Sequence, residues 1–203
     1  MKKIVWNEEK VFIDENSINN DYEFKDFTGE IEFGKSRCIV KNADFIVKIR
    51  NIKYLTGEAY PIKPWDINVN EIIWKNGTVV SGNFNPHHWE NGVFNGDVLR
   101  TADFVNGIFN GNNLICNTFK NGTVEKGNVE CDTWKKGVFN GNSLKGTFNC
   151  GVFNNGIFEG TWLEGFFKNG TFKGKWKGGT WFGGNWEGES YVGDGTFDSV
   201  VKK

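Results

Sequence analysis

From Trp74 onward a large apolar residue returns every five positions: Trp74, Val79, Phe84, Trp89, Phe94, Leu99, Phe104, Phe109, Leu114, Phe119, Val124, Val129, Trp134, Phe139 and Leu144. The spacing then slips to four residues from Leu144 to Phe148, from Phe158 to Trp162 and from Phe172 to Trp176. The slips fall at every third step. A four-sided coil gives no reason for that rhythm. A three-sided coil of 15 residues, shortened to 14 at one fixed corner, accounts for all of them.

Sorting the chain into three columns supports this geometry. The first column is Trp74, Trp89, Phe104, Phe119, Trp134, Phe148, Trp162, Trp176 and Tyr191, all aromatic. The second runs from Val79 through Phe94, Phe109, Val124, Phe139, Phe153 and Phe167 to Trp181. The third runs from Phe84 through Leu99, Leu114, Val129, Leu144, Phe158 and Phe172 to Trp186. Each column keeps its own character, as stacked layers of one solenoid do. The corner after the first column reads Asn-Gly at 76–77, 91–92, 106–107 and 121–122. Asn-Gly suits a tight corner, and stacked Asn side chains are expected to form an amide ladder. Thr118, Thr133, Thr147 and Thr161 precede the next aromatic, where a β-branched residue favours extended backbone.

The composition fits a narrow aromatic shaft: 27 Gly, 19 Phe and 9 Trp against 3 Pro. Glycine permits the corners and aromatic rings fill the inside. Strand alternation points the column residues inward and their neighbours outward. Coils spaced at about 4.8 Å would build a rod on the order of 40 Å long. An antiparallel meander stays open as the alternative, because Phe172-Lys173-Gly174-Lys175-Trp176-Lys177-Gly178-Gly179 is similar to the Tyr-x-Gly-x-Trp-x-x-Gly signature of MORN repeats.

The five-residue beat resembles the pentapeptide-repeat family, which implies a β-solenoid. Here Gly takes the family's small position, and the third-step deletions depart from its four-sided coil. Tandem aromatic-x-x-Gly repeats with an Asn-, Phe- and Lys-rich composition also resemble virion proteins of tailed bacteriophages. That resemblance covers the repeat region and implies a role in the virion, the protein being made in the host cytoplasm.

Residues 1–70 do not keep the beat and are expected to be a β-rich N-terminal cap or attachment region. Residues 71–192 are the three-sided β-solenoid, and 193–203 a C-terminal cap; the fold class is all-β. Short strands are expected at 22–27, 30–33, 38–40 and 45–49, with turns at 34–36 and 41–44. The junction is placed at Pro61-Ile62-Lys63-Pro64, where two prolines interrupt any ladder.

No catalytic constellation stands out, and no cofactor or metal is expected. His87 and His88 are adjacent, so on a strand they point to opposite faces and make a poor joint metal site. Glu125, Glu130, Asp132, Glu159 and Glu164 fall on outward or corner positions. The four cysteines show no Cys-x-x-Cys pairing. A net charge of −1 argues against a nucleic-acid binder. No stretch is apolar enough to span a bilayer, and Met1–Lys10 lacks the apolar run of a signal peptide.

One flank suggests a partner surface. The outward residues before the second column are Val93, Ile108, Thr123, Val138, Val152 and Phe166, a mostly apolar stripe. Exposed apolar stripes often mark interfaces; plain β-propensity is the bland alternative. Three roles are carried forward. The first is a non-enzymatic structural part of a virion (a fibre, decoration or baseplate/tail protein) packed on other virion proteins or its own copies, with Val93, Ile108, Val138, Val152 and Phe166 as the interface. The second is a glycan- or surface-binding adhesin using outward aromatics such as Phe182. The third is an intracellular protein-binding solenoid.

Overall fold

The computed structural model describes residues 2–6, 9–13, 20–33, 36–52, 67–189 and 196–197. The described elements are all β. A hairpin of β1 (Lys2–Trp6) and β2 (Glu9–Ile13) is followed by long strands β3 (Asn20–Phe33), β4 (Ser36–Ile52) and β5 (Ile67–Phe84). Beyond β5 the chain is a parallel three-sided β-solenoid, each coil hydrogen-bonded to the one before and the one after. This excludes the antiparallel meander for the repeat region.

The three expected columns run in register. Trp74 lies against Trp89, Val79 against Phe94 and Phe84 against Leu99, and the same pairing repeats along the rod. Most column residues are fully buried, and Trp186 is partly so. Between coils the first-column rings stack face to face, with centroids 3.8 Å apart at Phe119–Trp134 and 5.8 Å at Trp89–Phe104. Within a coil the columns meet edge to face, as in Trp162–Phe167 at 79° and Phe167–Phe172 at 85°. Both arrangements suit the ring quadrupole, each adding about 0.5–1.5 kcal/mol beyond burial.

The corners explain the glycines. Gly107 has φ +116°, and a Cβ there would sit 2.3 Å from the Gly92 carbonyl oxygen. That carbonyl accepts a hydrogen bond from the Ile108 N–H at 2.9 Å, so the coils touch backbone to backbone. At the third corner the long coils hold a small buried residue: Pro86, Thr101, Cys116 or Cys131. The deletion first occurs opposite Cys131, where the register between Glu130 and Thr133 shifts and Gly146 takes φ +141°. Gly146 has no room for a side chain, because its Cβ would fall 1.7 Å from the Cys131 carbonyl oxygen.

The N-terminal segment is more tightly joined to the solenoid than expected. β4 pairs antiparallel with β5 along the whole first coil, with Phe45 opposite Trp74, Val40 opposite Val79 and Cys38 opposite Gly82. β3 lies antiparallel on β4 in turn. The four short strands expected between 22 and 49 are therefore parts of two long ones. Lys41–Asp44 is not a turn between strands but a bend inside β4 at the corner beside Gly77. Asn42 and Asp26 both adopt φ +49° at these bends, a conformation these two residue types tolerate better than most. Phe24 stacks on Phe45 at 4.6 Å and Phe45 on Trp74 at 6.0 Å, so the first aromatic column continues into the antiparallel ribbon. Phe27, Ile31, Cys38, Val40, Ala43 and Val47 complete a buried cap core. Burial there pushes the Cys38 thiol up to about 12, with Glu30 adding to the shift.

β5 crosses the expected 70/71 boundary without a break. At the far end Thr196–Phe197 pairs with Thr180–Trp181, so the second column extends into the segment expected as a C-terminal cap. Pro61–Pro64, Tyr191 and the rest of 193–203 lie outside the described residues.

Two stability predictions follow from these contacts. Gly146→Ala should cost about 1–3 kcal/mol or more from forced backbone strain. Gly183→Ala, whose Cβ would meet only the Lys168 carbonyl oxygen at 3.7 Å, should be close to neutral; thermal midpoints of the two variants test the contrast. The second concerns the indoles. Trp89 Nε1 donates to the Asn106 carbonyl at 3.1 Å, whereas Trp134 Nε1 is buried without a partner among the described residues. Trp89→Phe should therefore cost about 1–2 kcal/mol more than Trp134→Phe in denaturant titrations.

Candidate interface

The second side of the triangle is narrow, with strands of only two residues such as Ile108–Phe109 and Val152–Phe153. Each contributes one inward and one outward side chain. The parallel ladder aligns Val93 with Ile108, Ile108 with Thr123, Thr123 with Val138, Val138 with Val152 and Val152 with Phe166. All five residues expected at an interface thus stand in one row. Ile108 is 40% and Phe166 48% exposed, while Val93, Val138 and Val152 are half-buried. Thr78 precedes the row and Thr180 follows it.

Its borders differ. On one side lie the glycine corners, with Asn76, Asn91, Asn106 and Asn121 just beyond. Asn91 Nδ2 donates to Asn76 Oδ1 at 3.4 Å, Asn106 to Asn91 at 3.3 Å and Asn121 to Asn106 at 3.2 Å, which is the expected amide ladder. On the other side Asn110 donates to Asn95 at 3.1 Å, Asn140 to Glu125 at 3.3 Å and Asn154 to Asn140 at 2.6 Å. These polar groups bond to their own counterparts one coil away. Near the C-terminal end Phe182, 43% exposed, lies 6.2 Å from Phe166 with the rings tilted by 38°. Val80, 44% exposed, extends the apolar surface at the first coil. Val80 escaped the sequence reading because it follows its column residue where the other coils carry Asn, Glu, Lys or Phe.

The third side is wider and of a different nature. Its strands run on through the corner, as in Val98–Phe104 and Asn128–Trp134. Outward on it stands a row in which charge alternates: Glu130, Lys145, Glu159 and Lys173 are register neighbours. Glu130 and Lys145 are 4.0 Å apart, and Lys173 and Glu187 3.7 Å. The row borders a shallow groove that also takes in Val98, Ile115 and Ile157, so this flank is less uniformly polar than its asparagines suggest. The signal was present as opposite charges at intervals of 15 and 14 residues.

His88 Nδ1 is 3.4 Å from Asp103 Oδ2, and Lys120 Nζ is 3.2 Å from the same oxygen. His87 is exposed and His88 half-buried. Glu125, Glu130, Asp132, Glu159 and Glu164 are all exposed. Among the described residues no three His, Cys, Asp or Glu side chains form a group that could hold a metal ion, and no helix is long and apolar enough to cross a membrane. No protein-family model matches the chain, and neither does any curated protein or solved structure.

The charge row carries its own test. Glu130→Lys sets a second cation beside Lys145. Both groups are well exposed, so the loss should stay below about 1 kcal/mol. It should shrink further as salt screens the pair, read as thermal midpoints at low and high ionic strength.

Proposed function

We propose that this chain is a non-enzymatic architectural rod that docks into a larger protein assembly, the body of a tailed-phage virion being the leading setting. The observation that carries this reading is the Val93–Phe166 row. It is mostly apolar and runs along the rod axis, and the asparagines that border it are bonded to their own counterparts, from Asn76 to Asn121 on one side and at Asn95–Asn110 and Asn140–Asn154 on the other. Burying such a row removes apolar area from water without breaking a hydrogen bond. The shaft supports the same role. Its interior is filled by stacked rings and aliphatic side chains, and each coil is tied to the next by backbone hydrogen bonds. A solenoid built this way is held by nearest-neighbour contacts along its length. The virion setting rests on the repeat and composition resemblance alone.

A second reading has one specific observation in its favour. Phe166 and Phe182 present two exposed, adjacent rings, an arrangement able to stack on the apolar face of a sugar. An adhesin role would place a glycan there.

Two measurements separate the readings. Val138→Lys combined with Val152→Lys sets two cations on register neighbours, so the isolated chain should lose stability, but by no more than about 1 kcal/mol. Incorporation into the assembly should fall about tenfold or more, equivalent to roughly 1.4 kcal/mol. Undiminished assembly would remove the flank from the interface. Mass spectrometry of purified particles from the source should find the chain at a fixed copy number, and its absence would refute the virion setting. Glycan binding lost on Phe182→Ala would favour the adhesin.

A further inference from the structure

The extra residue at the third corner of each long coil is small and buried. In one coil it is Thr101, whose Oγ1 lies 3.2 Å from the His87 carbonyl oxygen and 3.0 Å from that of Asp103. A hydroxyl side chain of cysteine-like size therefore fills the position, and packing alone does not call for sulfur. The next two coils nonetheless both carry cysteine. The parallel ladder sets Cys116 directly opposite Cys131. Neighbouring strands stand about 4.8 Å apart, inside the roughly 4.4–6.8 Å Cα separation that a disulfide spans. The two thiols are 5% and 3% exposed. Both are free.

We propose that Cys116 and Cys131 form an oxidation site, a thiol pair one rung apart that closes into an inter-coil disulfide when a peroxide reaches it. One thiolate attacks a peroxide oxygen; an S–O bond forms, the O–O bond breaks and the first water leaves. The second sulfur then displaces hydroxide from the sulfenic acid; the S–S bond forms, the S–O bond breaks and the second water leaves. The thiols lose two electrons and two protons, and the peroxide takes both to become two waters. The product is a covalent tie between consecutive coils, independent of what the apolar flank binds.

The environment sets the rate. Donation toward the Cys131 sulfur and burial hold the Cys116 proton well above the ordinary thiol range, with the Cys131, Asp103 and Asp132 charges adding. The reactive species is the thiolate, so the pair oxidises only as the corner opens. Exposed Cys150 reacts first. Closure is thus a slow, cumulative change.

The test uses the full chain carrying Cys150→Ser. It is exposed to hydrogen peroxide under native conditions, quenched, unfolded in alkylating reagent without reductant and digested with trypsin. Cleavage after Arg100, Lys120, Lys126 and Lys135 leaves the two cysteines on separate peptides. The expected product is peptide 101–120 joined to peptide 127–135, lighter than their sum by two hydrogen atoms and separated by reductant. The link should be absent when Cys131→Ser is added. Recovery of both cysteines as alkylated thiols, under conditions that fully oxidise Cys150 in the unsubstituted chain, would overturn the proposal. So would recovery of either as a separate sulfinic acid, or joined to Cys38.

Discussion

The rise of one coil, about 4.8 Å, governs this molecule, because it lays every residue on its own counterpart in the next coil. Only interactions that repeat without penalty survive that arrangement. Aromatic rings do, and the first column uses nothing else from Phe24 to Trp176. Primary amides do, since each both donates and accepts, and asparagine lines the corners for that reason. Like charges do not, and the outward row resolves the conflict by alternating Glu with Lys. The corner carbonyls follow the same rule, each receiving an N–H from the coil above.

The change from long to short coils shows how little freedom the spacing leaves. The long coils fill the third corner with a buried side chain, ending at Cys131. Deleting one residue removes that filler, and the backbone itself closes the gap through Gly146, Gly160 and Gly174. Gly146 and Gly160 do so at φ +141°. The shaft therefore keeps its triangular section across both coil types, and the first-column stack passes from Trp134 to Phe148 at 5.6 Å without interruption.

Much of this was legible because a parallel solenoid turns spatial neighbours into a fixed sequence interval. The slips at Phe148, Trp162 and Trp176 were enough to distinguish three sides from four. The Asn-Gly corners likewise foretold the ladder at Asn76–Asn121. The cap was less legible for a physical reason. Its chain runs antiparallel, so Phe24, Phe45 and Trp74 stack at intervals of 21 and 29 residues instead of 15. Nothing local marks Lys41–Asp44 as a bend within one strand, since the corner geometry is imposed by the coil beneath it. The Cys116–Cys131 pairing, by contrast, follows from the interval alone once the coil length is known.

The flanks raise the question of which outward residues the fold itself requires. The wide third side can satisfy itself through amide and charge pairs along its rows. The narrow second side offers one outward residue per strand, and the structure needs only that it tolerate extended backbone. Thr78, Thr123 and Thr180 show that a polar β-branched residue fits the row. Strand preference accommodates Val93, Ile108, Val138 and Val152 as readily as threonine; what it does not require is a 48%-exposed Phe166 beside Phe182. The proposed contact outside the chain would supply a reason, because burial against a partner favours these side chains over threonine.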